Sequence, residues 1–312
     1  MAVLLFLQAA LPSVPQQVTG RIVRPGAASM DPVGSIWVVL HRVGPDSAGP
    51  LDSVRSDPRG RYSFKYERRG SEEAIYFVSA SYAGIAYFTP PLPQGKVSGD
   101  DGEITVFDTT SSHVPVSVRG HHIIVSGVDA NARRSVVEVY DISNDTSVTR
   151  VAMGDKPENA TWRAHLIPGA TDFHVSQGDI SAAAVSFTNG TVNVFAPIAP
   201  GLKQLSFSYS LPAKAFPLKV PSEAATGVYE ILIEEKAGSV TGPNLKEVDP
   251  VTVDDRNFRR FLASDMPENS LAVIDLPAPP PSRSIDPRFL VAITLVLGGT
   301  MIVALAQALR RR

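Results

Sequence analysis

Six histidines, His41, His113, His121, His122, His165 and His174, are the side chains best equipped for metal or acid–base chemistry in a chain of 312 residues without cysteine. Their spacing works against a shared metal. His121 and His122 are adjacent in a run that reads as a strand, where consecutive side chains point to opposite faces. His113 with one of them across a hairpin is the remaining arrangement, and surface or edge positions are expected for the set. Asp100-Asp101-Gly102-Glu103 gathers carboxylates at a glycine, but a calcium loop needs oxygens at alternating positions around its turn, so a solvated turn is expected. Asp254-Asp255 and Arg259-Arg260 read as a mixed-charge strand edge, which deters sheet aggregation. The spacings of a nucleophile elbow, a zinc peptidase helix, a dinucleotide-binding loop and a phosphate loop are all missing. Without thiols there is no disulfide framework, iron–sulfur cluster or cysteine nucleophile. The residues therefore predict no catalytic constellation, no metal and no cofactor. Of the two tryptophans, Trp37 lies in an apolar strand and is expected in the core, while Trp162, beside Thr161 and Arg163, is the candidate surface contact.

The elements that must position these groups read as strands. Residues 61–67 (RYSFKYE) put Tyr62, Phe64 and Tyr66 on one face and Arg61, Ser63, Lys65 and Glu67 on the other. Asp57-Pro58-Arg59-Gly60 before them has the residues of a type I turn. Residues 35–42 and 74–82 are β-branched and aromatic runs. Asn189-Gly190, flanked by 184–187 and 191–196, is the strongest two-residue hairpin signal. Strands also read at 136–142, 205–209, 228–234, 248–253, 257–262 and 270–276. Strands recurring every 8–12 residues between prolines and glycines predict an all-β chain of consecutive antiparallel β-sandwich domains. The polar stretch 95–102 separates the first set from the second.

Two apolar segments set the expected compartment. Residues 289–309 (FLVAITLVLGGTMIVALAQAL) carry no charge and would span roughly 31 Å as a helix, the thickness of a bilayer core. Arg310, Arg311 and Arg312 follow at once, and clustered arginines beside a span stay cytoplasmic. Residues 1–11 (MAVLLFLQAAL) read as the apolar region of a secretory signal, cleaved or retained, although no basic residue precedes them. The expected order is a signal-like segment 1–17, sandwiches at 18–110 and 111–212, and a small third β domain at 213–276. A proline-rich stalk 277–288, a transmembrane helix 289–309 and a basic tail 310–312 complete it. Thr300, Ala304 and Ala308, with Gly298 and Gly299 nearby, form a small-residue helical face suited to packing on another membrane helix.

The opening strand Thr19-Gly20-Arg21-Ile22-Val23, a second at 36–40, and Ser56-Asp57-x-x-Gly60-Arg61-Tyr62-Ser63-Phe64 together resemble the carboxypeptidase regulatory-like domain, a transthyretin-like sandwich. The resemblance covers about a quarter of the chain. It implies a fold whose Asp and Gly hold a turn and whose aromatics enter the core, and it implies no activity. The whole order of elements is also similar to an extracytoplasmic accessory subunit of a bacterial photosynthetic reaction centre–light-harvesting complex.

A net charge of −2 and a pI near 6.3 argue against nucleic acid as a partner. The expectation is a non-enzymatic, single-pass protein of the bacterial inner membrane, with a periplasmic body and cytoplasmic C-terminus. It would brace a larger membrane complex through its helix and β domains, with the bilayer and other membrane subunits as partners. The alternative is an envelope module that captures a carbohydrate or peptide.

Overall fold

The computed structural model describes residues 14–277, apart from Gln177 and Asp254. The signal-like segment up to Ser13, the stalk beyond Pro277, the predicted span with Gly298, Gly299, Thr300, Ala304 and Ala308, and the tail Arg310, Arg311 and Arg312 lie outside the described residues. Among the described residues no helix is long and apolar enough to cross a membrane. The described residues are nearly all β and mostly antiparallel, and the chain divides into two units, one ending at Thr109 and one beginning at Thr110.

The first unit runs β1 (Val14–Pro25), β2 (Met30–Pro32), β3 (Trp37–Val43), β4 (Ala48–Arg55), β5 (Arg61–Arg68), β6 (Ile75–Tyr82), β7 (Ile85–Phe88), β8 (Lys96–Val97) and β9 (Ile104–Thr105). β1 pairs antiparallel with β2 and β5 and parallel with the short β8 and β9. β4-β3-β6-β7 form a second, antiparallel sheet. The alternation read in β5 is realised: Tyr62 and Phe64 are buried and Arg61, Ser63 and Lys65 exposed. Tyr66 stacks on Tyr76 of β6 at 5.4 Å, where the inner faces of the two sheets meet. The turn before β5 forms as read, with the Gly60 N–H bonded to the Asp57 carbonyl at 2.9 Å. The Asp57 carboxylate accepts from the Arg59 and Arg61 amides. Asp100-Asp101 sit in a 3-10 turn, Gly99–Gly102. Glu103 pairs with Arg21 at 2.6 Å, and the Gly102 carbonyl accepts the Tyr62 hydroxyl. Gly20 is required there: a Cβ on it would lie 1.7 Å from the Gly102 oxygen.

β10 (Asp108–Thr110) spans the division. The second unit then contains β11 (Val116–Val128), β12 (Arg133–Asn144), β13 (Val148–Arg150), β14 (Trp162–His165), β15 (Thr171–Val175), β16 (Val185–Thr188), β17 (Thr191–Val194), β18 (Gly201–Pro212), β19 (Leu218–Ser222), β20 (Thr226–Ile233), β21 (Ser239–Thr241), β22 (Lys246–Val253), β23 (Arg256–Met266) and β24 (Ser270–Asp275). Asn189 and Gly190 both have positive φ, 52° and 76°, and close the β16–β17 hairpin between Thr188 and Thr191.

The boundary expected at 212/213 is corrected. β11 pairs parallel with β20, from Val118↔Thr226 to Val125↔Ile233. Segments 111–212 and 213–276 therefore share one seven-stranded sheet, ordered β15-β18-β12-β11-β20-β23-β22. The physical reason is burial: β11 and β12 are covered on both faces, which requires a partner strand on each side and layers above and below. Ile123, Val136, Phe207 and Ile231 on one face pack with Ala164, Val192, Val220 and Ile274 of two smaller sheets, β14-β17-β16 and β19-β24-β21. Each of the Val, Ile and Phe side chains contributes about 1.5–3 kcal/mol by leaving water. Ile124, Val137, Val139, Leu232 and Phe258 form a second cluster on the opposite face.

Candidate functional site: a cleft over buried histidine–carboxylate pairs

β11 carries His121 and His122 on opposite faces of the seven-stranded sheet, as adjacent strand residues must be. The expected surface or edge setting is corrected for both, because they are only 4% and 5% exposed. Each is buried because a carboxylate from a neighbouring strand meets it, and a charge leaves water only when so compensated. His121 Nε2 lies 2.7 Å from Glu138 Oε2 on β12. Glu138 also accepts the hydroxyls of Tyr140, at 2.9 Å, and of Tyr209, at 2.6 Å. Burial alone would raise the Glu138 carboxyl, but hydrogen bonding and attraction to His121, with the two tyrosine hydroxyls, hold it below the usual carboxylate range. Burial first, and then the Glu138 charge, push Tyr140 and Tyr209 well above the usual phenol range. The His121 ring stacks on Tyr140 at 3.9 Å and meets the edge of Tyr229 at 5.1 Å.

On the other face, His122 Nδ1 lies 2.6 Å from Glu230 and Nε2 lies 3.3 Å from Asp141. Arg260 is hydrogen-bonded to Glu230, and Gln204 donates to Asp141 at 3.1 Å. Burial favours neutral His122, yet the two carboxylates outweigh it and push the ring up to about 9. Glu230 is held below the usual carboxylate range: burial opposes its ionisation, but the hydrogen bond from His122, the His122 charge and Arg260 prevail. A ring protonated on both nitrogens has no lone pair for a metal. Among the described residues no cluster of His, Asp and Glu is arranged to hold one.

Above His121 and Glu138 lies a cleft of about 260 Å³. Residues 162–168 of the β14 region form one wall and residues 219–224 of the β19 region the other. Trp162, the candidate contact, is half-buried in this wall, edge-on to Tyr140 at 4.8 Å. His165 Nδ1 meets Glu223 Oε1 at 2.7 Å, joining the two walls. His113 and His174 are exposed, and His41 is half-buried against Ser79 at 2.8 Å. Glu138 is a poor general base here, because three donors already stabilise its ionised form. Among the described residues, His121 is hydrogen-bonded to Glu138 and to no serine or threonine hydroxyl that would serve as a nucleophile.

The core position expected for Trp37 is also corrected: it is 57% exposed. β3 turns Val38, Leu40 and Arg42 inward, which leaves Trp37, Val39, His41 and Val43 on the outer face. Ile75 and Phe88, 45% and 57% exposed, extend that face on β6 and β7. Phe77 stacks on His41 at 5.0 Å and meets Phe88 edge-on at 5.8 Å, and the Arg55 guanidinium lies 5.8 Å from the Trp37 ring. Arg134 is a further buried ion that the sequence did not signal. It donates to the carbonyls of Ser126 and Pro277 and pairs with Glu235 at 3.2 Å, tying Pro277, at the end of the described residues, to the body.

No family model matches the chain, and no curated protein matches it. Among solved structures it is similar to a mutant M1 zinc metallopeptidase from Deinococcus radiodurans, at 12% identity and a TM-score of 0.31. The match covers 51% of this chain and 42% of that one, so the chain spans less than half the length of that enzyme. A likeness of this size carries no argument about activity.

Proposed function

We propose that the protein is a non-enzymatic interaction subunit: an exported two-unit β body, anchored by the apolar segment 289–309, that docks on and braces a larger complex of the bacterial inner membrane. The observation that carries this reading is the outer face of the β4-β3-β6-β7 sheet. Trp37, Val43, Ile75 and Phe88 are large apolar side chains exposed together on it, and contiguous exposed apolar patches mark contact surfaces. Aromatics with a nearby arginine are the residue types enriched at interface centres. The first unit retains its resemblance to the carboxypeptidase regulatory-like domain in this reading, as a positioning module. A photosynthetic reaction centre–light-harvesting assembly is the class of partner that the order of elements resembles.

Purification from native membranes in mild detergent tests the reading. The wild-type chain should co-purify stoichiometrically with other membrane subunits. The Trp37→Ser/Phe88→Ser variant, altered only at exposed positions, should lose at least about tenfold of that yield, since interface aromatics are worth ~2 kcal/mol or more each. A wild-type chain that purifies alone, or a variant that co-purifies undiminished, contradicts docking through this face.

A second reading is favoured by the cleft over His121: a module that captures a carbohydrate or peptide. Its aromatic wall and polar floor are the usual components of a small-ligand site.

A further inference from the structure

The layer that covers the seven-stranded sheet is not continuous. β14 is paired with β17 alone, and β19 with β24 alone, among the described residues. Each is thus the edge of its own three-stranded sheet, and the two edges form the opposing walls of the cleft. A sheet edge carries a row of unpaired backbone N–H and C=O groups, which bind an added strand. Here two such rows border one gap.

The two walls are not paired with each other among the described residues. The His165–Glu223 contact of 2.7 Å joins the walls through two side chains. The side chains around the gap specify what would fit. Ala164 and Val220 point to the core, and Trp162 and Tyr140 complete the apolar inner side. Arg163 and Lys219 are exposed on the outer side, one on each edge, and neither has an ion-pair partner among the described residues. An inserted strand alternates its side chains between these two sides. Its inner residues would meet Trp162, Tyr140 and Val220. Its outer residues would lie between Arg163 and Lys219, where carboxylates make favourable cross-strand pairs, and would part the exposed His165–Glu223 contact at the end of the gap. Pro221 removes one donor from the β19 edge, so the β14 edge carries more of the pairing.

We propose that this cleft accepts an extended segment of a partner protein as an added β-strand, about four or five residues long, with apolar side chains at alternate positions and Asp or Glu between them. The inference rests on the second reading above, a capture module, and names its ligand. It needs neither the membrane anchor nor the aromatic face of the first unit.

The test uses the full-length protein in detergent and a fluorescein-labelled heptapeptide, Glu-Val-Asp-Val-Glu-Val-Asp, followed by anisotropy. Saturable binding is expected. N-methylation of the peptide at alternate residues should weaken it about tenfold or more, because the backbone donors that pair with the sheet edges are removed. The Arg163→Glu/Lys219→Glu variant, altered only at exposed positions, should invert the preference toward the peptide with lysine in place of every acid. Binding that ignores N-methylation would overturn strand addition. Failure to bind either peptide, with saturable quenching of Trp162 fluorescence by a disaccharide in a Trp37→Phe background, would overturn the inference and leave the capture reading standing. Failure of every probe would overturn both.

Discussion

Replacing His122 by leucine should cost about 3–5 kcal/mol of stability, because it leaves Glu230 and Asp141 buried without their shared cation. The substitution should also change how stability depends on pH. The folded-state pKa of His122 is raised to about 9, above the unfolded value of about 6.5. Its contribution is therefore fully present below about pH 6.5 and is lost as pH rises through about 9. That difference corresponds to about 3 kcal/mol. Glu230, held below its usual range by His122 and Arg260 against the effect of burial, acts in the opposite sense. Its contribution is present above the unfolded carboxylate value and is lost as pH falls through the lowered folded one. The second unit should be most stable between these limits. Urea unfolding followed by Trp162 fluorescence, in a Trp37→Phe background, checks this. The midpoint should fall between pH 7 and 10 in the parent and stay nearly level over that range in His122→Leu. A parent midpoint that does not move would mean that His122 is neutral in the folded protein.

Glu138→Leu should be comparably damaging, at about 3–5 kcal/mol, and for a separable reason. Glu138 is the common acceptor for His121, Tyr140 and Tyr209, so its removal orphans three buried donors at once. Restoring consistency in the other direction should recover much of the loss. The Glu138→Leu/His121→Phe/Tyr209→Phe variant replaces the charged group and two of its partners by apolar side chains, an exchange that is often nearly neutral. Its urea midpoint should lie well above that of Glu138→Leu alone. If the three substitutions simply added, the contacts would not form the coupled network drawn from the distances.

The features legible in the sequence are the local ones. The alternation of Tyr62, Phe64 and Tyr66, the Asp57–Gly60 turn and the Asn189-Gly190 hairpin each depend on residues within a few positions of one another, and all three form. The exposure of Trp37 is not legible, because residues 35–42 are apolar on both faces and alternation does not say which side faces the core. The buried ion pairs were out of reach for a different reason. His122 and Glu230 are 108 positions apart and meet only because β11 and β20 pair in parallel. No local pattern encodes that pairing, and the division at 212/213 failed on the same point. One signal for Glu138 and Asp141 was present in the sequence: both acids interrupt a Val-rich strand at 136–142, where a carboxylate between β-branched residues needs a buried partner. The cleft depends on two sheets stopping short of one another, which no single segment displays.

The most direct test of an exported body on a C-terminal anchor uses the lack of cysteine in the chain. A single reporter thiol is introduced at the exposed Met153, as Met153→Cys, or appended after Arg312. Intact spheroplasts are then treated with a membrane-impermeant maleimide. The expected result is labelling of the Met153→Cys thiol before lysis and of the appended thiol only after it. Protection of the Met153→Cys thiol, with labelling of the tail, would place the β body in the cytoplasm and contradict the proposed role.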